Sequence, residues 1–541
     1  MLEGAKALTR TQKRPISDPN ASPIAAALAQ LEAEIANFDE NQRRVALVDV
    51  GGPARIRGLA GSGKTVILAM KAAQIHMDNP DQKVLVTFYT RSLRATLKTL
   101  ITRFYRHYSE TDPDWEKIHI RHGWGSSSGP GVYADTSRRY NRSPMPLTEA
   151  QKSAGPGKNA FGWAVNDLIE SVEIEPFYDH VLIDEGQDFP DSFYRLCYHL
   201  TKGERDKKKI VWAYDELQNI LNVQMRRPEQ LFGKDPDGEF RVDLDRSGAA
   251  LALGASNDTV LSKTYRNQRN VLVSAHAMGF GVYGHIVQML EGAEHWKDVG
   301  YEVHNEPIEI GKVVELFRPT ENSPLDLIPI DNVPVIASHS AINFDAEVNW
   351  VTTEIRKFIA GGLNREDVLV ISLDDRNAKG YFRAISQNLA ENDISSNNII
   401  ADPYNEPPFS IPGKVTLSTV YRAKGNEAAL VLCVGVDAVS ARDRGGRNKL
   451  FTAFTRTKGW LRVCGVGANA ANISDELTTA AMTAPYMRFV MPDPLVIDTI
   501  QRGLSDKKIK AKALRDRYLK DLKEAGLTEE EISEQLKVDV I

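Results

Sequence analysis

The sequence predicts an α/β protein of two units, each a parallel sheet covered by helices, with a small insertion in the first unit and a helical C-terminal tail. Three observations predict it. Short apolar runs of the kind found in strands buried on both faces lie at 54–60, 83–89, 180–184 and 209–215, each followed by a segment of helical character. A second set of the same kind lies at 333–338, 367–373, 414–420, 429–436 and 461–467. The first run of the first set passes straight into a glycine-rich turn and then a helical segment.

Taken in order, residues 1–37 form an N-terminal extension and 38–265 the first unit. Between its second and third runs lies a long polar stretch with WGSSSGPG and SAGPGKNA, whose Gly and Ser content reads as loops around a few helices. This is the expected insertion subdomain, about 96–176. The second unit is expected over 266–470, with additional sequence at about 280–330. From 471 to 541 a helical C-terminal tail is expected, because after about residue 495 the chain becomes a charge-rich stretch of good helix formers with one glycine break. The division into units follows from length, because 541 residues exceed the roughly 250–300 that one core organises.

Composition narrows the classes of function. An apolar fraction of 42 % with 26 % charged residues is that of a soluble globular protein, and no apolar run approaches the roughly 20 residues of a membrane span. No membrane association is expected. The N-terminus has no apolar centre that could serve as a secretory signal, so a cytoplasmic location is expected. A net charge of −5 means that nucleic acid, if bound, must be held in a local groove. Cys197, Cys433 and Cys464 are far apart among apolar neighbours, without metal-ligand spacing, and read as buried free thiols.

The chemistry begins at Gly58-Leu-Ala-Gly61-Ser62-Gly63-Lys64-Thr65, which matches G-x-x-x-x-G-K-T/S between a strand and a helix. Gly61, Ser62 and Gly63 can turn backbone N–H groups onto phosphate oxygens, and the helix N-terminus adds favourable charge. Lys64 is placed to reach the β- and γ-phosphates of ATP, and the Thr65 hydroxyl to ligate Mg²⁺. Phosphoryl transfer also needs a carboxylate for the metal and a group to position water. The run His180-Val-Leu-Ile-Asp184-Glu185 offers both: Asp184 for Mg²⁺ and Glu185 as general base. A strand ending in Asp-Glu is, by itself, commonly a solvated turn; the phosphate loop gives it meaning.

At Asp184-Glu185-Gly186-Gln187-Asp188 the sequence resembles the D-E-x-Q-D segment of superfamily 1 helicases of the UvrD/Rep/PcrA type, and further segments follow in that family's order. The resemblance spans 38 to about 467 and implies two RecA-like P-loop NTPase domains with ATP in the cleft between them. It places Gln42 as the adenine-reading glutamine, and Thr87 and Phe88, with Tyr89 beside them, on the strand that meets single-stranded DNA. Asp215-Glu-Leu-Gln218 resembles the third motif, with Gln218 as γ-phosphate sensor. Tyr265-Arg266 resembles the N-Y-R segment, Tyr265 stacking on adenine and Arg266 contacting γ-phosphate. Thr419-Val-Tyr421-Arg-Ala-Lys424-Gly425-Asn-Glu427 resembles T-x-H-x-x-K-G-x-E, with Thr419, Tyr421 and Lys424 toward nucleic acid and Glu427 as the ribose-binding glutamate. Phe454-Thr455-Arg456-Thr457 resembles the T-R-A segment, making Arg456 the arginine finger. Guanidinium groups supplied across a cleft suit a charge-spread phosphoryl transition state.

The sequence departs from the family pattern in three places. After Gln218 the chain runs Asn219, Ile220, Leu221, Asn222, Val223, Gln224, without the Tyr, Trp and Arg residues that the third motif carries in UvrD-type proteins. Tyr421 replaces the usual histidine. The large accessory domain inserted before the fifth motif in duplex-unwinding members is missing, since only a short irregular stretch follows FRAISQNLAENDI before 414. Two functions of different class are therefore expected. The leading one is an ATP-driven motor on single-stranded nucleic acid, DNA rather than RNA by resemblance. The other is an ATP-gated interaction protein that assembles with a nuclease or other effector, in DNA repair or antiviral defence, without productive unwinding. A small-molecule kinase is disfavoured, because one set of ATP groups is divided between two units.

Overall fold

The computed structural model describes residues 22–35, 48–59, 61–90, 93–127, 129–215, 227–249, 251, 256–290, 292–401, 408–493 and 497–500. Gln42 and Gln218 lie outside the described residues, as do Asn219 to Gln224.

The first unit is a six-stranded sheet of β1 (Ala54–Gly58), β2 (Val84–Phe88), β3 (Ile118–His122), β4 (His180–Ile183), β5 (Lys209–Tyr214) and β6 (Asp258–Leu261). Its order is β3-β2-β4-β5-β1-β6, with every neighbouring pair parallel. Alternate side chains feed cores on the two faces: Leu85, Val181, Ile183 and Trp212 on one, Val84, Val86, Leu182 and Val211 on the other. β2 is buried at every position, as its unbroken apolar run requires. β3 corrects the expectation of loops around helices in 96–176: Ile118 and Ile120 point inward and make this stretch the edge strand of the sheet.

Before the second sheet come three short strands, β7 (Gln288–Leu290), β8 (Glu302–Val303) and β9 (Val313–Phe317). The second sheet holds β10 (Ile336–Ala341), β11 (Val368–Ser372), β12 (Ser396–Asn398), β13 (Val415–Thr419), β14 (Ala428–Val434) and β15 (Thr457–Val466), in the order β10-β15-β14-β11-β13-β12 and again all parallel. Leu369, Ile371 and Val431 face one core, Val370, Leu430 and Leu432 the other. Two RecA-like α/β units are thus present, as expected. Cys197, Cys433 and Cys464 are buried free thiols.

Described elements from early and late in the chain both pack on the second unit. In the extension, helix α1 (Pro23–Ile35) places Ile24, Ala27, Leu28 and Leu31 in a core of the second unit with Phe358, Leu363 and Trp460. Their spacing of i, i+3, i+4, i+7 is that of a one-faced helix. The charge-rich stretch expected as a helical tail, from about 495 onward, lies outside the described residues apart from 497–500, whereas the residues just after 471 pack on the second unit. Ala470, Ile473, Leu477 and Ala480 bury one face of a helix running Gly467–Thr483 in the second unit. β16 (Tyr486–Val490) then pairs antiparallel with β9, burying Met487 and Phe489 at strand period, and β17 (Asp498–Ile500) pairs with β7. The 280–330 segment is therefore completed by the chain's C-terminal part.

Candidate active site

A parallel sheet sends every strand's C-terminal end to the same edge, and ligands of open α/β sheets collect there. In the first unit that edge carries the glycine loop after β1, Tyr89 after β2, Asp184 after β4, Asp215 after β5, and Tyr265 with Arg266 after β6.

The loop is shaped by two glycines. Gly61 and Gly63 have φ of +77° and +88°, a region that L side chains rarely adopt. Gly63 leads into α2 (Lys64–Asp78), and a Cβ on Gly61 would stand 2.5 Å from Cβ of Arg266. The chain after β6 lies directly on the loop, with Tyr265 N–H donating to Gly61 O at 3.0 Å. Ser62 is buried, and Lys64 Nζ donates to the carbonyls of Gly58 and Leu59 at 2.7 and 2.8 Å. Burial lowers the Lys64 pKa, against the pull of the Asp215, Glu185 and Asp184 carboxylates.

Thr65 and Asp184, the two expected metal-holding residues, meet: Thr65 Oγ1 donates to Asp184 Oδ2 at 2.7 Å, and Glu185 N–H donates to Asp184 Oδ1 at 2.9 Å. Burial, then the adjacent Glu185, raises the Asp184 pKa. Burial would raise Glu185 too, but Lys424, Lys64 and Arg456 hold its carboxyl below the usual range, so it is ionised at neutral pH. Its backbone sits at φ +51°, an unfavourable left-handed conformation for a glutamate, and the Gln187 amide donates to its carboxylate. Gln187 Oε1 in turn accepts from Asp215 N–H at 3.0 Å. A hydroxyl beside a carboxylate is a hard oxygen donor set, and Mg²⁺ is commonly held by one or two such groups together with substrate phosphates. The residues fit that ion.

The second unit completes the cleft. Ala428 and Thr457 are register partners at the starts of β14 and β15, so Glu427 and Arg456, one residue earlier, stand side by side. Arg266 Nε reaches Glu427 Oε2 at 2.5 Å. Lys424 pairs with Asp188 at 2.5 Å, both side chains being almost wholly buried. Asn267 donates to the carbonyls of Thr455 and Thr457, at 3.0 and 2.7 Å, and so fixes the backbone on either side of Arg456. Burial, then Arg266, lowers the Arg456 pKa to about 10, while Glu185, Glu427 and Asp215 oppose this. Arg266 and Arg456 thus join the carboxylates of the first unit around one cleft.

The residues expected at nucleic acid are divided. Thr87 and Phe88 are fully buried, Phe88 within a core, because β2 is covered on both faces. Neither presents a surface to a base. Lys424 is likewise corrected, from a nucleic-acid contact to the partner of Asp188. Tyr89 is half-buried against Phe189 and Phe161, and Thr419 and Tyr421 are half-buried on the second unit, with Lys449 Nζ 5.5 Å from the Tyr421 ring centre. Sequence reasoning passed over Asn267 and gave Asp188 no role. Asn267 follows Arg266 directly and Asp188 closes the D-E-x-Q-D segment, which is the only local signal, and their partners lie 190 and 236 positions away.

Residues 414–464 match the family model of the UvrD-like helicase C-terminal domain. That span is similar to the C-terminal domain of UvrD-like helicases. The matched span contains Lys424, Glu427 and Arg456, so the similarity falls on the residues that the second unit brings against the first. Among solved structures, the C-terminal domain of a possible DNA helicase from Lactobacillus plantarum WCFS1 is similar at 17 % identity and a TM-score of 0.21. The match covers 27 % of this chain and 84 % of that one, and adds nothing to the assignment. No curated protein matches the chain.

Proposed function

We propose that this protein hydrolyses ATP in the cleft between its two RecA-like units and uses the cycle to move on single-stranded DNA. The observation that carries the reading is the meeting of Asp184, Glu185 and Asp188 from one unit with Lys424, Glu427 and Arg456 from the other, over a glycine loop whose Thr65 touches Asp184. Lys64 leaves the carbonyls of Gly58 and Leu59 to bind the β- and γ-phosphates. Thr65 and Asp184 would hold Mg²⁺, which would supply charge neutralisation for phosphoryl transfer. Glu185, ionised through its cationic neighbours, orients the attacking water and accepts its proton. Arg266 exchanges Glu427 for the γ-phosphate, and Arg456 meets the charge that develops in the transition state. Because these groups come from two units, nucleotide binding favours the closed cleft and product release the open one. Gln42 and Gln218 serve as adenine reader and phosphate sensor in this reading.

Tyr89, Thr419 and Tyr421 are the half-exposed groups left to meet a single strand. The short connection between Ala390 and β13 leaves no room for a large accessory domain, which favours translocation or remodelling over duplex unwinding. It also keeps open assembly with a nuclease or other effector as the output of the cycle. ATP turnover measured with and without single-stranded DNA and RNA tests the proposal. Stimulation by DNA is expected; turnover indifferent to both strands leaves an ATP-gated interaction protein, and no turnover in any condition overturns the enzyme.

A further inference from the structure

We infer that helix α1 is a working part of the nucleotide cleft: Glu32 orients Lys458, and Lys458 holds Glu427 in place for the nucleotide's ribose. The inference rests on the reading of Glu427 as the ribose-binding carboxylate. Its two oxygens are held by different cations, Oε2 by Arg266 at 2.5 Å and Oε1 by Lys458 at 3.6 Å. Lys458 Nζ also lies 3.6 Å from Glu32 Oε1. The four side chains alternate in charge as Glu32, Lys458, Glu427, Arg266, and each is between 12 % and 21 % exposed, shielded enough for the charges to act on one another. When Arg266 turns to the γ-phosphate, Oε2 is freed for a ribose hydroxyl while Lys458 still neutralises and fixes Oε1. A lysine is a flexible point charge that stays put only when anchored elsewhere. Glu32 is such an anchor, and its own position is set by Ile24, Leu28 and Leu31 in the core of the second unit and by Ile24 N–H on Gly361 O at 3.2 Å. Lys458 and Glu32 are positioning residues in this scheme, acting through Glu427.

The test is sugar discrimination, which a purely structural role would not move. KM and kcat are measured for ATP and 2′-deoxy-ATP, and dissociation constants for both by equilibrium competition. Lys458→Met is expected to raise KM for ATP about 3- to 10-fold with kcat within about twofold, and to narrow the preference for ATP over 2′-deoxy-ATP. Lys458→Arg keeps the charge and is expected to restore most of the affinity. Glu32→Gln, which leaves the apolar face of α1 intact, shifts KM in the same direction by less and adds nothing in the Lys458→Met background. An unchanged KM in Lys458→Met, an unchanged sugar preference, or full additivity of the two substitutions overturns the inference. A wild-type protein that binds ATP without turning it over strikes the motor reading alone, since the competition constants still report the same contrast.

Discussion

Lys424 Nζ lies 2.5 Å from both carboxylate oxygens of Asp188, and the two residues belong to different α/β units. Burial raises the Asp188 pKa to about 6 even with the ammonium in contact. Such a pair stabilises little against an apolar replacement, yet removing one partner strands a buried charge at a cost of about 3–5 kcal/mol. Lys424→Ala is therefore expected to lower unfolding stability by about that amount in urea titrations, and Lys424→Met combined with Asp188→Leu to recover most of it. Equal losses in the single and double variants would argue that the junction is held by something else.

Glu185 and Lys64 should separate binding from chemistry. Glu185→Gln is expected to bind ATP with near wild-type affinity while kcat falls about 10²- to 10⁴-fold, the span attributed to general-base catalysis. Lys64→Ala removes the phosphate-directed charge and should abolish turnover. Weak binding by Glu185→Gln, or residual turnover by Lys64→Ala, would mean that the roles are misassigned.

Gly61 should tolerate no side chain. A Cβ there meets Arg266 Cβ at 2.5 Å, and the backbone φ of +77° is strained for alanine. Gly61→Ala is expected to push the loop and the Arg266 segment apart, raising the ATP dissociation constant. Gly157, also at positive φ but with nothing within 4 Å of an added Cβ, provides the control: Gly157→Ala should cost stability without touching nucleotide affinity.

His180 predicts an acid limb in stability. It is 5 % exposed at the start of β4, Nε2 donating to Gln82 Oε1 at 3.0 Å, and burial lowers its pKa from 6.5 to about 4. A depressed folded-state pKa means that the unfolded chain takes the proton first. The contribution is complete above pH 6.5 and is lost as pH falls through 4, by about 3 kcal/mol. Chemical denaturation from pH 7 to 4 should show a shallower decline for His180→Gln than for wild type, whereas parallel slopes would exclude this histidine as a cause.

The strands of both sheets were legible because strands covered on two faces must be continuously apolar, and β2, β11 and β14 are. The edge strands β3, β6 and β12 were not: Ile118 and Ile120 of β3 alternate with His119 and Arg121, β6 is a short run opening on Asp258, and β12 is the polar Ser396-Asn397-Asn398. The ordered motifs located the cleft, and Thr65 with Asp184 and Glu427 with Arg456 stand together there. Phe88 carried a conflict that was visible from the start: the strand pattern made it core, while resemblance made it a DNA contact. Burial agrees with the strand pattern. What no local pattern could supply was pairing at a distance, as between Asp188 and Lys424 or between α1 and Trp460, since only the assembled topology brings such residues together.

The docking of α1 on the second unit also sets an order of events during synthesis. Ile24, Leu28 and Leu31 leave the ribosome well before Trp460, which lies in the same core. At about 5–20 residues per second, the apolar face of α1 waits roughly 20–90 s for its seat. During that interval the complete first unit can fold, so the nascent chain passes through a stage in which one domain is finished while the apolar face of the α1 segment still lacks its seat.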